Sequence, residues 1–266
     1  MCSSDLATWL IALPLVLSAQ QLVQEAVIKG TFDTFTTDEL GNVYALEGDE
    51  LSLWYPDGRS WLRNSLKTFG RITLIDAFYS LKPMVFTLEQ GQVAVLDNTL
   101  SLQGSVINLP RNGFPQVELA CMSVQNSFWL FDARDLQLIR VDAQLRQLAS
   151  TGRIDQLLGF TPHPTHMQEL DNWLYVSDPD EGILVFDLFA AYYKTIPITG
   201  IERFEVRDGA IYFFQDGVLQ RYDLRSFAID PLPMPEGHTV LDARMERGRL
   251  YLRTPDRILI MRVVEP

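Results

Sequence analysis

Six acidic or imidazole side chains recur at a nearly constant distance before an aromatic residue. They are Asp33, Asp76, Glu118, His166, Glu202 and Asp242, and each precedes its aromatic residue by nine to eleven positions. Carboxylate oxygens and an imidazole nitrogen bind divalent cations when they converge on one point. The set therefore predicts a negative, ligand-binding ring if the fold brings the six side chains together. The alternative is that these side chains cap backbone amides between neighbouring strands.

The sequence contains no motif for covalent catalysis or phosphate binding. It has no G-x-S-x-G or S-x-x-K nucleophile pattern and no glycine-rich phosphate loop. We therefore assign no catalytic residue, and the sole cofactor we keep open is a divalent cation on the ring. Such a cation polarises a carbonyl group, so a metal-dependent lactonase or related hydrolase is the alternative to a non-catalytic protein.

Short aromatic runs recur along the chain and indicate strands. Their central residues are Tyr44, Phe86, Trp129, Tyr175, Tyr212 and Tyr251, which follow one another at intervals of 37 to 46 residues. Each run alternates between the two faces of a strand, and polar pairs such as Asp208-Gly209 and Asp216-Gly217 separate the runs. Such pairs tolerate positive φ, so they predict hairpin turns.

Six strand-rich units of about 40 residues predict an all-β fold, a six-bladed β-propeller with four antiparallel strands in each blade. The last unit is too short to supply its outer strand, and residues 25–30 have the pattern of a strand. We expect this N-terminal strand to pair with residues 258–264 and close the ring, which removes two exposed sheet edges. The six ring residues should then face the central channel at similar depth.

The fourth unit carries the sharpest likeness to a known family. Residues 173–178 (WLYVSD) and 182–187 (GILVFD) resemble the blade pattern of NHL-type propellers and of the related lactonase-like and TolB-like six-bladed propellers. The resemblance implies this fold for nearly all of the chain after Gln21. NHL blades usually carry a basic residue in the second of these strands, and residues 182–186 contain none. The RNA-binding and anion-binding roles of that family are therefore not expected.

The N-terminus predicts export. Residues 6–17 are apolar except for Thr8 and Pro14, and the small residues Ser18 and Ala19 follow. A stretch of this length is too short to span a bilayer and suits a secretory signal. We expect residues 1–19 to be a signal peptide and residues 20–266 to form a single domain with no integral membrane segment. The predicted location is the periplasm, or an extracellular or outer-membrane-associated site.

The charge of the chain limits its partners. It has 22 Lys and Arg against 34 Asp and Glu, a net charge of -12, and such a field repels phosphate backbones. We therefore exclude nucleic acid as a partner. Together these patterns favour an exported, non-catalytic propeller that acts as a binding or scaffold module for a protein or glycan partner in the bacterial cell envelope.

Overall fold

A computed structural model describes residues 21–65, 69–79 and 81–264. These residues form six antiparallel sheets of four strands each. The chain is therefore a six-bladed β-propeller with four-stranded blades, as the repeats predict. The predicted signal peptide, residues 1–19, lies outside the described residues.

The first three blades follow one another along the chain as simple meanders. Blade 1 contains β2 (Thr34–Thr37), β3 (Val43–Glu47), β4 (Glu50–Trp54) and β5 (Ser60–Ser65). Blade 2 contains β6 (Leu74–Asp76), β7 (Met84–Thr87), β8 (Gln92–Val95) and β9 (Ile107–Asn108). Blade 3 contains β10 (Val117–Ser123), β11 (Ser127–Asp132), β12 (Gln137–Val141) and β13 (Gln147–Ser150).

The other three blades have the same order, except that blade 6 takes its outer strand from the N-terminus. Blade 4 contains β14 (His166–Leu170), β15 (Trp173–Asp178), β16 (Gly182–Asp187) and β17 (Tyr192–Ile196). Blade 5 contains β18 (Glu205–Arg207), β19 (Ala210–Gln215), β20 (Val218–Asp223) and β21 (Ile229–Pro231). Blade 6 contains β22 (Asp242–Glu246), β23 (Arg249–Arg253), β24 (Arg257–Val264) and β1 (Gln21–Lys29).

In the described residues, helical structure occurs only in short connections. The helix α1 (Ile154–Leu158) joins blades 3 and 4, and two single 3-10 turns cover Pro110–Asn112 and Val124–Asn126. Within the described residues, no helix has the length and apolar character needed to cross a membrane.

The N-terminal strand closes the ring. β1 pairs antiparallel with β24, with Ile28 opposite Ile258 and Gln21 opposite Val264. Glu25 forms ion pairs with Arg249 and Arg262 across this sheet. The predicted pairing is confirmed, and the strand extends further toward the N-terminus than the sequence pattern indicates.

The middle strands of a blade are buried on both faces because each blade lies between two others. In β7, Val85 packs in the core shared with blade 1, whereas Met84 and Phe86 pack in the core shared with blade 3. Successive side chains of a strand point to opposite faces. Most positions of such a strand are therefore apolar, and full burial of one such side chain stabilises the fold by about 1.5–3 kcal/mol.

The six aligned aromatic residues occupy the six cores between blades. Five of them are buried, each in a different core: Tyr44, Phe86, Trp129, Tyr175 and Tyr251. Tyr212 packs against the remaining core between blades 5 and 6 but is only half-buried, because it also lines a cavity near the axis. The repeat alignment thus places one aromatic side chain at each blade-to-blade contact.

Two predicted hairpin turns illustrate how the sequence sets the register. Asp208-Gly209 joins β18 to β19, and Asp216-Gly217 joins β19 to β20. Their φ angles are 48° and 71°, and 52° and 79°. Two central residues with positive φ match the twist of paired strands, and aspartate and glycine adopt this conformation at low cost.

Several aspartates near the end of a third strand hold the following loop. They are Asp97, Asp142, Asp187 and Asp223, and one carboxylate oxygen of each accepts two backbone N–H groups from that loop. The Oδ1 atom of Asp187, for example, accepts from Phe189 and Ala191 at 2.8 and 2.9 Å. Such bonds hold the pKa of Asp223 well below its usual range. Much of the acidic charge of the chain therefore has a structural role.

Candidate functional site

The innermost strands surround a central channel. They are β2, β6, β10, β14, β18 and β22, which contact one another around the axis. The channel mouth opens into a cavity of about 510 Å³ between blades 1, 5 and 6. Three predicted ring residues and three arginines line this cavity, namely Asp33, Glu202, Asp242, Arg203, Arg244 and Arg253.

The remaining ring residues lie next to this cavity. Glu118 and His166 line a space of about 150 Å³, and Asp76 lines one of about 40 Å³ together with His166. Arg244 lines all three spaces, so they are consecutive parts of one channel. The channel thus contains side chains of both charges.

The six ring residues do not share one level along the channel. His166 and Asp242 are the first residues of β14 and β22, Asp76 is the last residue of β6, and Glu202 lies three residues before β18. The reason is that the hairpins differ in length, with the loop 77–83 in blade 2 and a two-residue turn in blade 6. Equal sequence offsets therefore give unequal depths. A ligand-binding role for the six stays a prediction.

Some ring carboxylates already have backbone donors. Oδ2 of Asp76 accepts the N–H of Met122 in blade 3 at 2.8 Å. Burial raises the pKa of Asp76, and this hydrogen bond opposes the rise. Oδ2 of Asp33 accepts the N–H of Gly48 at 2.8 Å. Asp76 thus links two blades, as the capping alternative describes.

His166 is neutral in the folded protein. Its ring contacts Phe204 edge to face, with 4.9 Å between ring centroids. Burial, together with the charges of Arg203 and Arg244, lowers the pKa of His166 to about 3. These two arginines make the middle of the channel positive, although the chain as a whole is acidic.

The residues of the ring do not fit a divalent cation. In the part of the chain that the structure describes, no three His, Cys, Asp or Glu side chains come close enough together to hold a metal ion. Arg203 and Arg244 also share the channel with His166 and Glu118. The metal-dependent lactonase alternative therefore lacks its ligand set among these residues.

Sequence reasoning missed the channel arginines. Arg244 lies two positions after Asp242 in β22, so the two side chains face the same side of the strand. Arg203 directly follows Glu202. In the sequence, each of these arginines lies one or two positions after an acidic residue. An alignment of acidic and imidazole residues alone does not include them.

Polar links hold the blades together near the axis. Arg207 in blade 5 forms ion pairs with Glu205 and with Glu246 of blade 6, and all three side chains are buried. The side-chain amide of Gln168 donates to the Val206 carbonyl at 3.0 Å and accepts the Val206 N–H at 2.8 Å. These contacts connect blades 4, 5 and 6 near the axis.

A second candidate site lies on the outer side of blades 4 and 5. We call it the rim patch, and it consists of Trp173, Tyr193, Lys194 and Phe227. The Tyr193 ring lies 4.8 Å from the Trp173 ring, and Nζ of Lys194 lies 5.6 and 5.5 Å from the rings of Tyr193 and Phe227. Tyr193 and Phe227 are 61% and 62% exposed, so two large apolar rings on different blades face solvent around one cation.

The rim patch and the channel mouth lie at opposite faces of the propeller. β14 begins at the mouth with His166 and ends at Leu170, and Trp173 starts β15 next to that end. The two sites therefore do not share residues, and each is open to a separate ligand.

Comparison with known proteins establishes the fold but no family. No protein-family model matches the chain, and no curated protein matches its sequence. Among solved structures, the WD40 domain of Neurospora crassa Pan2 is 8% identical, with 94% of this chain and 97% of that chain covered and a TM-score of 0.65. A catalytically inactive variant of virginiamycin B lyase from Staphylococcus aureus with quinupristin is 12% identical, with 92% and 99% covered and a TM-score of 0.56.

A candidate exported protein from Bacteroides fragilis has a similar fold. It is 7% identical, with 93% of this chain and 95% of that chain covered and a TM-score of 0.62. Identities this low carry the fold alone. The chain is thus a six-bladed β-propeller that is structurally similar to lyase and WD40 propellers.

Proposed function

We propose that this protein is an exported, non-catalytic binding module that uses the rim patch to bind a partner protein in the bacterial cell envelope. The observation that carries the proposal is the pair of exposed rings, Tyr193 and Phe227, held around Lys194. Large aromatic side chains are enriched at protein interfaces and supply much of their binding energy. Ordered exposed rings on a rigid scaffold lose little conformational entropy on binding.

The charge around the rings favours a protein with acidic and apolar side chains. Arg225 lies in the same turn as Phe227 and is exposed, so the patch combines two cations with aromatic surface. Lys194 beside two rings can also pair with a carboxylate of the partner. Export is supported by the predicted signal peptide at 1–19 and by the fold likeness to the Bacteroides fragilis protein.

Capture from an envelope extract tests the proposal. The mature chain, residues 20–266, is immobilised as wild type, as Tyr193→Ser with Phe227→Ser, and as the control Leu148→Ser with Leu157→Ser. The control residues are 50% and 51% exposed, Leu148 in β13 and Leu157 in α1, so the same apolar-to-serine change is made elsewhere on the surface. The expected result is a protein that wild type and control retain and the patch variant loses.

The captured protein is then purified and its dissociation constant measured by calorimetry. We expect the patch variant to bind at least tenfold more weakly, about 1.4 kcal/mol, with the control unchanged. Equal affinity of the patch variant and wild type contradicts the proposal. A glycan that binds through the patch, with no protein captured, also contradicts it.

A further inference from the structure

Three arginines at the channel mouth have no carboxylate partner. Arg203, Arg244 and Arg253 line the same 510 Å³ cavity. None of them forms an ion pair in the described part of the chain, where eleven ion pairs occupy other arginines. In a chain with a net charge of -12, three unpaired cations around one cavity require an explanation.

Most hydrogen-bond donors of these arginines have no acceptor among the described residues. Nε of Arg244 donates to the Phe35 carbonyl at 3.2 Å, and Arg253 donates through one terminal nitrogen to the Phe32 carbonyl at 3.0 Å. Arg203 donates to the hydroxyl of Thr34. A guanidinium has five N–H donors, so each arginine retains several. Nε of Arg253 is buried and has no hydrogen-bond partner.

The cavity also presents carboxylates. Asp33, Glu202 and Asp242 line it, and no ion pair joins them to the arginines in the described residues. Asp242 opens β22 at the mouth, and Arg244 follows on the same face about 7 Å deeper. Negative charge is thus available at the mouth and positive charge further inside.

A ligand of one sign does not fit this arrangement. The three arginines repel a divalent cation in the cavity, and the three carboxylates repel a phosphate dianion. A small zwitterion satisfies both sets, because its carboxylate accepts from guanidinium donors and its ammonium group donates to carboxylates. A volume of about 510 Å³ lies within the range of small-molecule sites, roughly 300–1,000 Å³.

We propose that the channel mouth binds a zwitterion of the α-amino-acid type. Its carboxylate contacts Arg203 and Arg244, and its ammonium group contacts Asp242. The half-buried rings of Tyr212 and Phe214 also line the cavity and supply an apolar wall for a side chain. The site is independent of the rim patch, so it stands or fails separately from the proposed protein-binding function.

Isothermal titration calorimetry on residues 20–266 tests the site with matched probes. The probes are the protein amino acids, the amide and the N-acetyl form of each amino acid that binds (phenylalaninamide and N-acetylphenylalanine for L-phenylalanine), inorganic phosphate and magnesium chloride. We expect at least one free amino acid to bind. Its amide lacks the carboxylate and its N-acetyl form lacks the ammonium group, so both should bind at least tenfold more weakly.

Three substitutions in the cavity and one control locate the binding. Arg203→Gln and Arg244→Gln should each weaken amino-acid binding at least tenfold, and Arg247→Gln, an exposed arginine in the turn at the opposite end of β22, should leave it unchanged. Asp242→Asn should weaken binding of the amino acid but not binding of its N-acetyl form. Thermal unfolding of each variant confirms that it folds. The proposal is wrong if no amino acid binds, if only phosphate or magnesium binds, or if both channel arginine variants bind like wild type.

Discussion

Replacing His166 by glutamine should remove one component of the pH dependence of stability. In the folded protein, burial and the charges of Arg203 and Arg244 lower the pKa of His166 from 6.5 to about 3. The unfolded chain therefore takes up a proton at this side chain as the pH falls through 6.5, whereas the folded chain does not. The contribution is fully favourable above about pH 7 and is lost progressively as the pH falls toward 3.

The size of this effect follows from proton linkage. One proton bound only by the unfolded state changes the free energy of unfolding by about 1.4 kcal/mol per pH unit. Between pH 7.5 and 5.5 the integrated loss is about 1.4 kcal/mol, because the unfolded histidine is neutral at the first pH and mostly charged at the second. At both pH values the folded histidine is neutral, so only the unfolded state contributes to the difference.

Urea unfolding of wild type and His166→Gln at the two pH values measures the effect. The free energy of unfolding of wild type minus that of the variant should fall by about 1.4 kcal/mol from pH 7.5 to 5.5. Taking the difference cancels the groups that both proteins share, including Asp76. The same difference at both pH values, with unchanged urea dependence, would show that His166 takes up a proton as readily in the folded protein as in the unfolded chain and would refute the reasoning.

Three further perturbations test the packing. Trp129→Ala should lower the free energy of unfolding in urea by about 3–5 kcal/mol because the side chain is fully buried. Trp129→Phe should lower it by about 1.5–3 kcal/mol because Glu169 loses the hydrogen bond from the indole N–H at 2.6 Å. Ile28→Ala in β1 should lower the free energy of unfolding by about 2–5 kcal/mol. Val23 is 48% exposed in the same strand, so Val23→Ala should change it by no more than about 1 kcal/mol. Similar losses for both variants contradict the packing of the closing strand. Cys121 is buried, and burial raises the pKa of its thiol. Iodoacetamide should therefore label it only as fast as the protein unfolds, which mass spectrometry in increasing urea would record. Rapid labelling without urea contradicts a closed core.

The fold was predictable because its signals are local and repeated. A blade must bury both faces of its middle strands, so runs such as Met84–Phe86 in β7 are apolar, and two-residue turns such as Asp208-Gly209 set the pairing. The short last unit and the strand-like residues 25–30 together predict the closing strand. Each of these steps depends on neighbours in sequence, which is the information that a single sequence contains.

The candidate sites were less predictable because they depend on depth and on contacts between blades. The offset of Asp76 from Phe86 equals that of Glu202 from Tyr212, but a longer loop places Asp76 at the far end of its strand. The rim patch joins Tyr193 to Phe227 across two blades, and no spacing rule relates these positions. Their exposure also depends on which strand is outermost.

Net charge is a poor guide to the charge of a site in this protein, and the structure shows the reason. Asp97, Asp142, Asp187 and Asp223 are held by backbone N–H groups in loops that follow third strands, and Asp76 caps Met122 between blades. Aspartate suits these positions because its short side chain reaches the backbone two to four residues away. Part of the acidic excess of the chain therefore comes from aspartates in turns. These aspartates recur because the blades repeat. Arg203, Arg244 and Arg253 line one cavity and form no ion pair with the described residues, so they are a stronger indication of a ligand than the net charge of the chain.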